Sequence, residues 1–333
     1  MATMLQSRLA RYFPALIFLS VSISVPGTGY AQSTGSAQST SPAQSTNIGQ
    51  STGPVPQPSS PKPSAQAADA PAAPASSGAR ILLLPRQLVS GERATLAVLD
   101  VNGRLTPNVA VSFSNGDHLK TDATGRALFV APLTTGPIFG SIDGRAGRVT
   151  STVLSATQST GAEIEVLSAP RVASISDRFD VTGHGFCGDA DSNSVSINEQ
   201  KALVLASSPM SLVLLPSPDA NPGEANIKIS CAKHDALLFP MTFVELALEA
   251  DTSPLAHNAH RALHVRVTGS TAKLVLEARN LAPDVAELVG GNPAKQASSG
   301  GADNVANFEV IGKKKGSFLI SIRLLSPNIH PPK

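Results

Sequence analysis

The sequence predicts an all-β chain in which tandem β-sandwiches follow an export leader and a disordered linker. Three observations lead there. From residue 80 onward, short apolar runs, many of them alternating, are separated by Asn-Gly, Asp-Gly, Pro and Ser clusters, which is the punctuation of strands and tight turns. Sustained 3.6-residue periodicity is missing; the one exception, APDVAELV at 282–289, is long enough for a helical turn or two. The segment after residue 79 is also too long for one small sandwich and suits two or three of roughly 80–100 residues each.

The amino terminus sets the compartment. Arg8 and Arg11 precede an apolar run over 13–25, and Pro26, Gly27 and the small residue Ala31 follow it. A basic start, a short apolar core and a small residue at the cut describe a secretory signal peptide over 1–31. Ser20, Ser22 and Ser24 dilute the run below the roughly 18 apolar residues of a membrane span. The expectation is an exported protein, periplasmic, cell-surface or extracellular, with no transmembrane segment in the mature chain.

Residues 32–79 are a different material. AQST or QST recurs, and a Pro/Ala/Ser stretch follows with almost no large apolar side chains. Such a segment cannot bury enough surface to offset the entropy of ordering it, so it reads as a disordered Ser/Thr/Pro/Gln-rich linker. Composition leaves open whether it is glycosylated or a bare spacer.

A first module spans 80–158. GERATLAVLDVNGRLTPNVAVSF and TDATGRALF place strands around turns at Asn102-Gly103, Asn115-Gly116 and Thr124-Gly125. On those residues the module resembles bacterial immunoglobulin-like domains of the invasin and intimin type, and equally carboxypeptidase-regulatory-like sandwiches. The resemblance implies an immunoglobulin-like sandwich.

A second module, 159–247, contains VTGHGFCG at 181–188, whose glycines spell G-x-G-x-x-G. A phosphate cradle of that pattern needs a helix N-terminus directly after it. Here DADSNSVSIN follows, turn formers and then an alternating strand, so the glycines mark a corner. Ile175, VTGHGF, VSIN at 195–198, KALVLASSPMSLVLLP at 201–216 and NPGEANIKI at 221–229 together resemble the IPT/TIG family of immunoglobulin-like domains over about 163–246. That resemblance implies that Phe186 plugs the core.

Asp189, Asp191 and Asn193 reproduce the first three ligand positions of an EF-hand loop, but Ser194 stands where its glycine belongs and Gln200 where its closing glutamate belongs. A solvated turn and a calcium loop of another geometry both stand as readings. Cys187 and Cys231 are the only cysteines, and an even pair in an exported chain reads as a disulfide.

A third module, 248–333, shows strands around RALHVRVTG, AKLVLEARNL, NVANFEVIG and GSFLISIRLL, an immunoglobulin-like pattern without a family motif. GGNPAKQASSGGADN, 290–304, reads as a long polar loop, with Asn292 and Lys295 as candidate binding residues beside Asp189, Asp191 and Asn193. Lys313, Lys314 and Lys315 mark a hairpin tip. His257, His260 and His264 form no H-E-x-x-H motif, and a strand separates His260 from His264 too widely for one tetrahedral ion; no metal and no cofactor is expected.

Net charge alternates along the chain, +3 over 80–158, −6 over 159–246 and +3 over 247–333. There is no uniform basic face for nucleic acid, and tryptophan is absent. No hydrolase elbow or phosphate loop occurs, so no enzyme is expected. The reading is an exported, non-catalytic, multi-domain protein serving as spacer and as protein- or surface-binding module at the cell envelope. The alternative is a carbohydrate-binding or accessory protein of a polysaccharide-processing system. Scarce aromatics weigh against it, since Tyr12 and Tyr30, both in the leader, are the only tyrosines.

Overall fold

The computed structural model describes residues 16–19, 80–156, 163–231, 234–251, 253–325 and 328–329; the expected linker and most of the expected leader lie outside the described residues. Within the predicted leader, β1 (Leu16–Leu19) is a strand. The first module holds β2 (Arg80–Leu83), β3 (Gln87–Val89), β4 (Arg93–Asp100), β5 (Ala110–Phe113), β6 (His118–Lys120), β7 (Arg126–Val130), β8 (Gly136–Ile142) and β9 (Val149–Leu154). The second holds β10 (Glu165–Pro170), β11 (Val172–Ser174), β12 (Phe179–His184), β13 (Asn193–Ile197), β14 (Gln200–Lys201), β15 (Leu203–Ser208), β16 (Ser211–Leu215), β17 (Gly223–Cys231) and β18 (His234–Glu249). The third adds β19 (His260–Thr268), β20 (Val275–Asn280), β21 (Ala286–Leu288), β22 (Ala294–Ala297), β23 (Val305–Gly312), β24 (Phe318–Leu325) and β25 (Asn328–Ile329). The described chain is all β in class, as its punctuation predicts.

Each module encloses a core. Leu88, Leu96, Val111 and Phe113 belong to the first, Phe179, Val181, Phe186, Leu212, Ile227 and Phe243 to the second, and Leu263, Val265, Leu276, Phe308 and Ile320 to the third. The sheets repeat one order. β6-β5-β8-β9 in the first module corresponds to β14-β13-β17-β18 in the second, each ending in an antiparallel hairpin. In both, a short strand also pairs in parallel with the last one, β3 with β9 and β11 with β18. Strands that face one core alternate, as β17 and β19 do with their outward residues exposed.

The exceptions to alternation show how modules join. β4 is buried over six successive residues, and nearly all of β15 and β16 is buried. Leu96 and Val98 fill the first core while Ala97 and Leu99, on the opposite face, meet Leu205, Ala206 and Val213 in a separate intermodule cluster. A strand buried on both faces reads as a continuous apolar run. β4 and β15 are also bridged antiparallel at Thr95 and Ser207, so one sheet passes through both modules. The second and third modules share β18 itself, whose first part pairs with β17 and whose residues 245–249 pair with β19.

Two sequence expectations are corrected in the third module. Residues 282–289 form a turn in which Ala282 O accepts from Val285 N–H, followed by β21, because only a single turn separates β20 from that strand. The 290–304 segment is not one long loop, since Ala294–Ala297 pair with β20 and Ala294 is buried in the core.

Gly188 fixes how closely the first two modules approach. A Cβ at this residue would overlap the Arg93 carbonyl oxygen. The Gly188→Ala variant is therefore expected to force β4 and the loop apart, at a cost of about 1–3 kcal/mol for overpacking. A chain this size should then melt several degrees lower, about 2–4 °C per kcal/mol, by calorimetry of the purified protein. An unchanged Tm would show that the seam yields without cost.

Candidate functional site

The G-x-G-x-x-G stretch forms the predicted corner. β12 ends at His184, Gly185 takes φ +78° with the Glu163 carbonyl closing on it, and Gly188 abuts Arg93 O. Backbone carbonyls stand against these glycines where a phosphate would need N–H donors. Ala190–Ser192 then makes only a single 3-10 turn before β13. Phe186 is 4% exposed and lies in the second core.

The loop that follows is built into the intermodule seam. Thr95 Oγ1 and Ser207 Oγ both donate to Gly188 O, at 2.9 and 2.8 Å, and Ala190 N–H donates back to Thr95 Oγ1 at 3.1 Å. Arg126 reaches across from the first module, donating to Val204 O at 2.8 Å and pairing with Asp191 at 3.2 Å. Asp189 caps the 3-10 turn by accepting from Asp191 N–H. Asn193, 7% exposed, accepts from Cys187 N–H and donates to the Cys187 and Asp189 carbonyls, all at 2.9 Å. The three candidate calcium ligands are thus committed to different protein donors, and their oxygens hold a loop that clasps the neighbouring module. Cys187 and Cys231 form the expected disulfide, with Cα atoms 5.6 Å apart, which ties this loop to the end of β17.

The other candidates are also placed. Asn292 exchanges two hydrogen bonds with the Asn280 backbone, 2.9 and 2.8 Å, and so buttresses β20. Lys295 is exposed on β22 opposite Glu277. His260 and His264 each bond a different residue of β23, Glu309 and Asn307, both at 2.7 Å. Among the described residues no group of three or more His, Cys, Asp or Glu is placed to hold a metal.

One further feature was not singled out by any sequence motif. A cleft of about 710 Å³ lies where the three modules meet, lined by Arg86 of the first, Pro170, Val172, Ser174, Asp177, Arg178, Phe179 and Asp180 of the second, and Val275, Arg323, Leu324 and Leu325 of the third. Its charges come in pairs. Arg86 Nε donates to Asp180 at 2.6 Å, Arg178 lies 3.9 Å from Asp177, and Arg323 is held by two hydrogen bonds to the buried Glu277, 3.0 and 2.6 Å. Desolvation pushes the Asp177 carboxyl above its ordinary value, with Arg178 and Arg323 pulling the other way and Asp180 adding to the rise. The lining contains no histidine or cysteine, and its one hydroxyl, Ser174, shares a hydrogen bond with Ser176 at 3.1 Å. Its carboxylates, Asp177 and Asp180, each lie beside a guanidinium, so it offers paired polar groups beside an apolar wall. Alternating module charge was the sequence signal closest to it, since Arg86–Asp180 and Arg126–Asp191 both join a basic module to the acidic one.

No family model matches the chain, and no curated protein matches it. Solved structures similar to it include SGBP-B of the Bacteroides ovatus mixed-linkage glucan utilization locus in complex with a mixed-linkage heptasaccharide, at 12% identity and TM-score 0.25, covering 73% of each chain. Others are the surface layer protein SbsC, domains 1–6, at 13% identity and TM-score 0.17, and the plexin A4 extracellular region, at 7% and 0.28. The chain matches over 74% of its own length in each and spans 38% and 32% of theirs. None of these similarities defines what this chain binds. No helix of the described residues is long and apolar enough to cross a membrane.

The disulfide closes a separation of 44 residues, for which loop entropy gives about 4 kcal/mol. Replacing both cysteines by serine should lower the melting temperature by about 10 °C, and reducing agent should reproduce the shift in the native chain; a shift under a degree would refute the assignment. Asp177 gives a pH signature of fixed sign. A carboxyl raised on folding contributes stability below its unfolded value, and that contribution is lost as pH rises through the folded value. Asp177→Asn should therefore stabilise the protein at pH 7 and leave it unchanged near pH 3, read as Tm against pH.

Proposed function

We propose that the chain is an exported, non-catalytic protein of fused immunoglobulin-like modules that acts as a spacer and binds a protein or envelope surface component. The observation that carries this reading is the coupling of the cores. A sheet running through the first two modules and a strand shared by the second and third hold the intermodule cleft in one shape. A preformed cleft needs little ordering when a ligand enters it, which favours recognition. Its carboxylates are paired with guanidiniums, Arg86 with Asp180 and Arg178 with Asp177, which favours binding over turnover. The disulfide supports an oxidising compartment.

The same cleft favours a second reading, a carbohydrate-binding accessory. Paired carboxylates and guanidiniums next to Phe179, Val172 and Leu324 offer hydrogen bonds to a polyhydroxylated ligand with an apolar wall beside it. Retardation of the purified protein in gels containing soluble polysaccharides, abolished by Asp180→Ala, would decide for it.

Fractionation of the native host tests the main reading. The chain should be recovered from the envelope or the medium with its amino terminus near Gln32. Recovery from the cytosol with the leader intact would overturn export.

A further inference from the structure

The third module departs from the other two at one edge. In the first, β5 and β8 are followed by β9, and in the second, β13 and β17 are followed by β18, each last strand being antiparallel to its predecessor. The third repeats the order as β22-β20-β24. Its chain does not then turn back, because β25 pairs with Ala169 and Pro170 of the second module. Among the described residues no strand of this module lies on the outer edge of β24. The place is taken by β1 of the leader, antiparallel to Phe318–Ser321 with Ile17 opposite Ile320.

The backbone of β24 is oriented for such a partner. Leu281 N–H donates to Leu319 O at 2.9 Å, so Leu319 and, by antiparallel alternation, Ser321 direct their backbone groups to β20. Phe318, Ile320 and Ile322 direct theirs to the outer edge. Their side chains are 4, 4 and 6% exposed and form the flank of the third core. No proline, lysine or inward charge interrupts 318–322, so the usual devices that blunt an open edge are missing. The strand seated there, LIFL, is uncharged and apolar throughout.

We propose that the outer edge of β24 is an acceptor site for an extended apolar strand supplied by another polypeptide, a place that Leu16–Leu19 fill in the full-length chain. The proposal rests on the export reading, because removal of the leader vacates the edge. Backbone hydrogen bonds from Phe318, Ile320 and Ile322 supply the affinity of such strand addition, and alternating apolar side chains of the incoming strand supply the specificity.

The test uses the full-length chain with a protease site placed in the 32–79 linker and cleaved after folding. The leader fragment should stay bound through gel filtration, and a synthetic peptide of residues 15–22 should displace it. Amide exchange at Phe318, Ile320 and Ile322 should speed up at least tenfold once the fragment is washed away and slow again when the peptide is added. Ile17→Pro in the chain should release the fragment on cleavage, with the melting of the cleaved, stripped protein unchanged. Immediate loss of the native fragment, or exchange at these amides that ignores both fragment and peptide, would overturn the proposal. Dimerisation of the stripped chain in place of peptide capture would overturn the choice of partner. A chain recovered from the host with its leader intact would instead refute export, whatever the cleavage experiment shows.

Discussion

The seam between β4 and β15 is the constraint on which the rest of the structure depends. At its centre Gly188 O accepts from Thr95 and Ser207 hydroxyls, both fully or nearly buried. Buried hydroxyls each need a partner, and here the Gly188 carbonyl serves both. Leu83, Ala97 and Leu99 pack against Leu205, Ala206 and Val213 beside them. Apolar burial supplies the drive, while the hydrogen bonds fix the register at which the modules meet. The cysteine-bearing loop, the Arg126 contacts and one wall of the cleft all take their positions from this contact.

Much of the fold was legible because β structure writes its alternation and its turns into local sequence. The Asn102-Gly103, Asn115-Gly116 and Thr124-Gly125 turns each occur with the glycine at positive φ. RALHVRVTG and GSFLISIRLL alternate as strands do. The strands β21 and β22 were harder to read. AEL and AKQA are too short to show a period, and most of the β22 side chains are exposed, so tertiary pairing with β23 and β20 decides them.

The site was less legible than the fold. Asp189, Asp191 and Asn193 looked like a ligand set because turn-capping and metal-binding residues are the same residue types. Their use as caps and clasps depends on Arg126 and Thr95, distant in sequence. The cleft draws side chains from 86, 170–180, 275 and 323–325, and no local motif spans such distances. One signal was present in the sequence: RATLAVLD and SLVLL do not alternate, and an unalternating run in a chain of half-exposed sheets marks a strand covered on both faces.

The shared strand β18 puts two cores in one frame. Phe243 lies in the second core and its neighbour Val244 in the third, because adjacent residues of a strand point to opposite faces. No linker intervenes to absorb a change of phase. A single residue inserted between them would leave one of the two cores with its apolar side chains turned outward, so the length of this segment is as tightly specified as its composition, and the two modules can tolerate a change in length there only together.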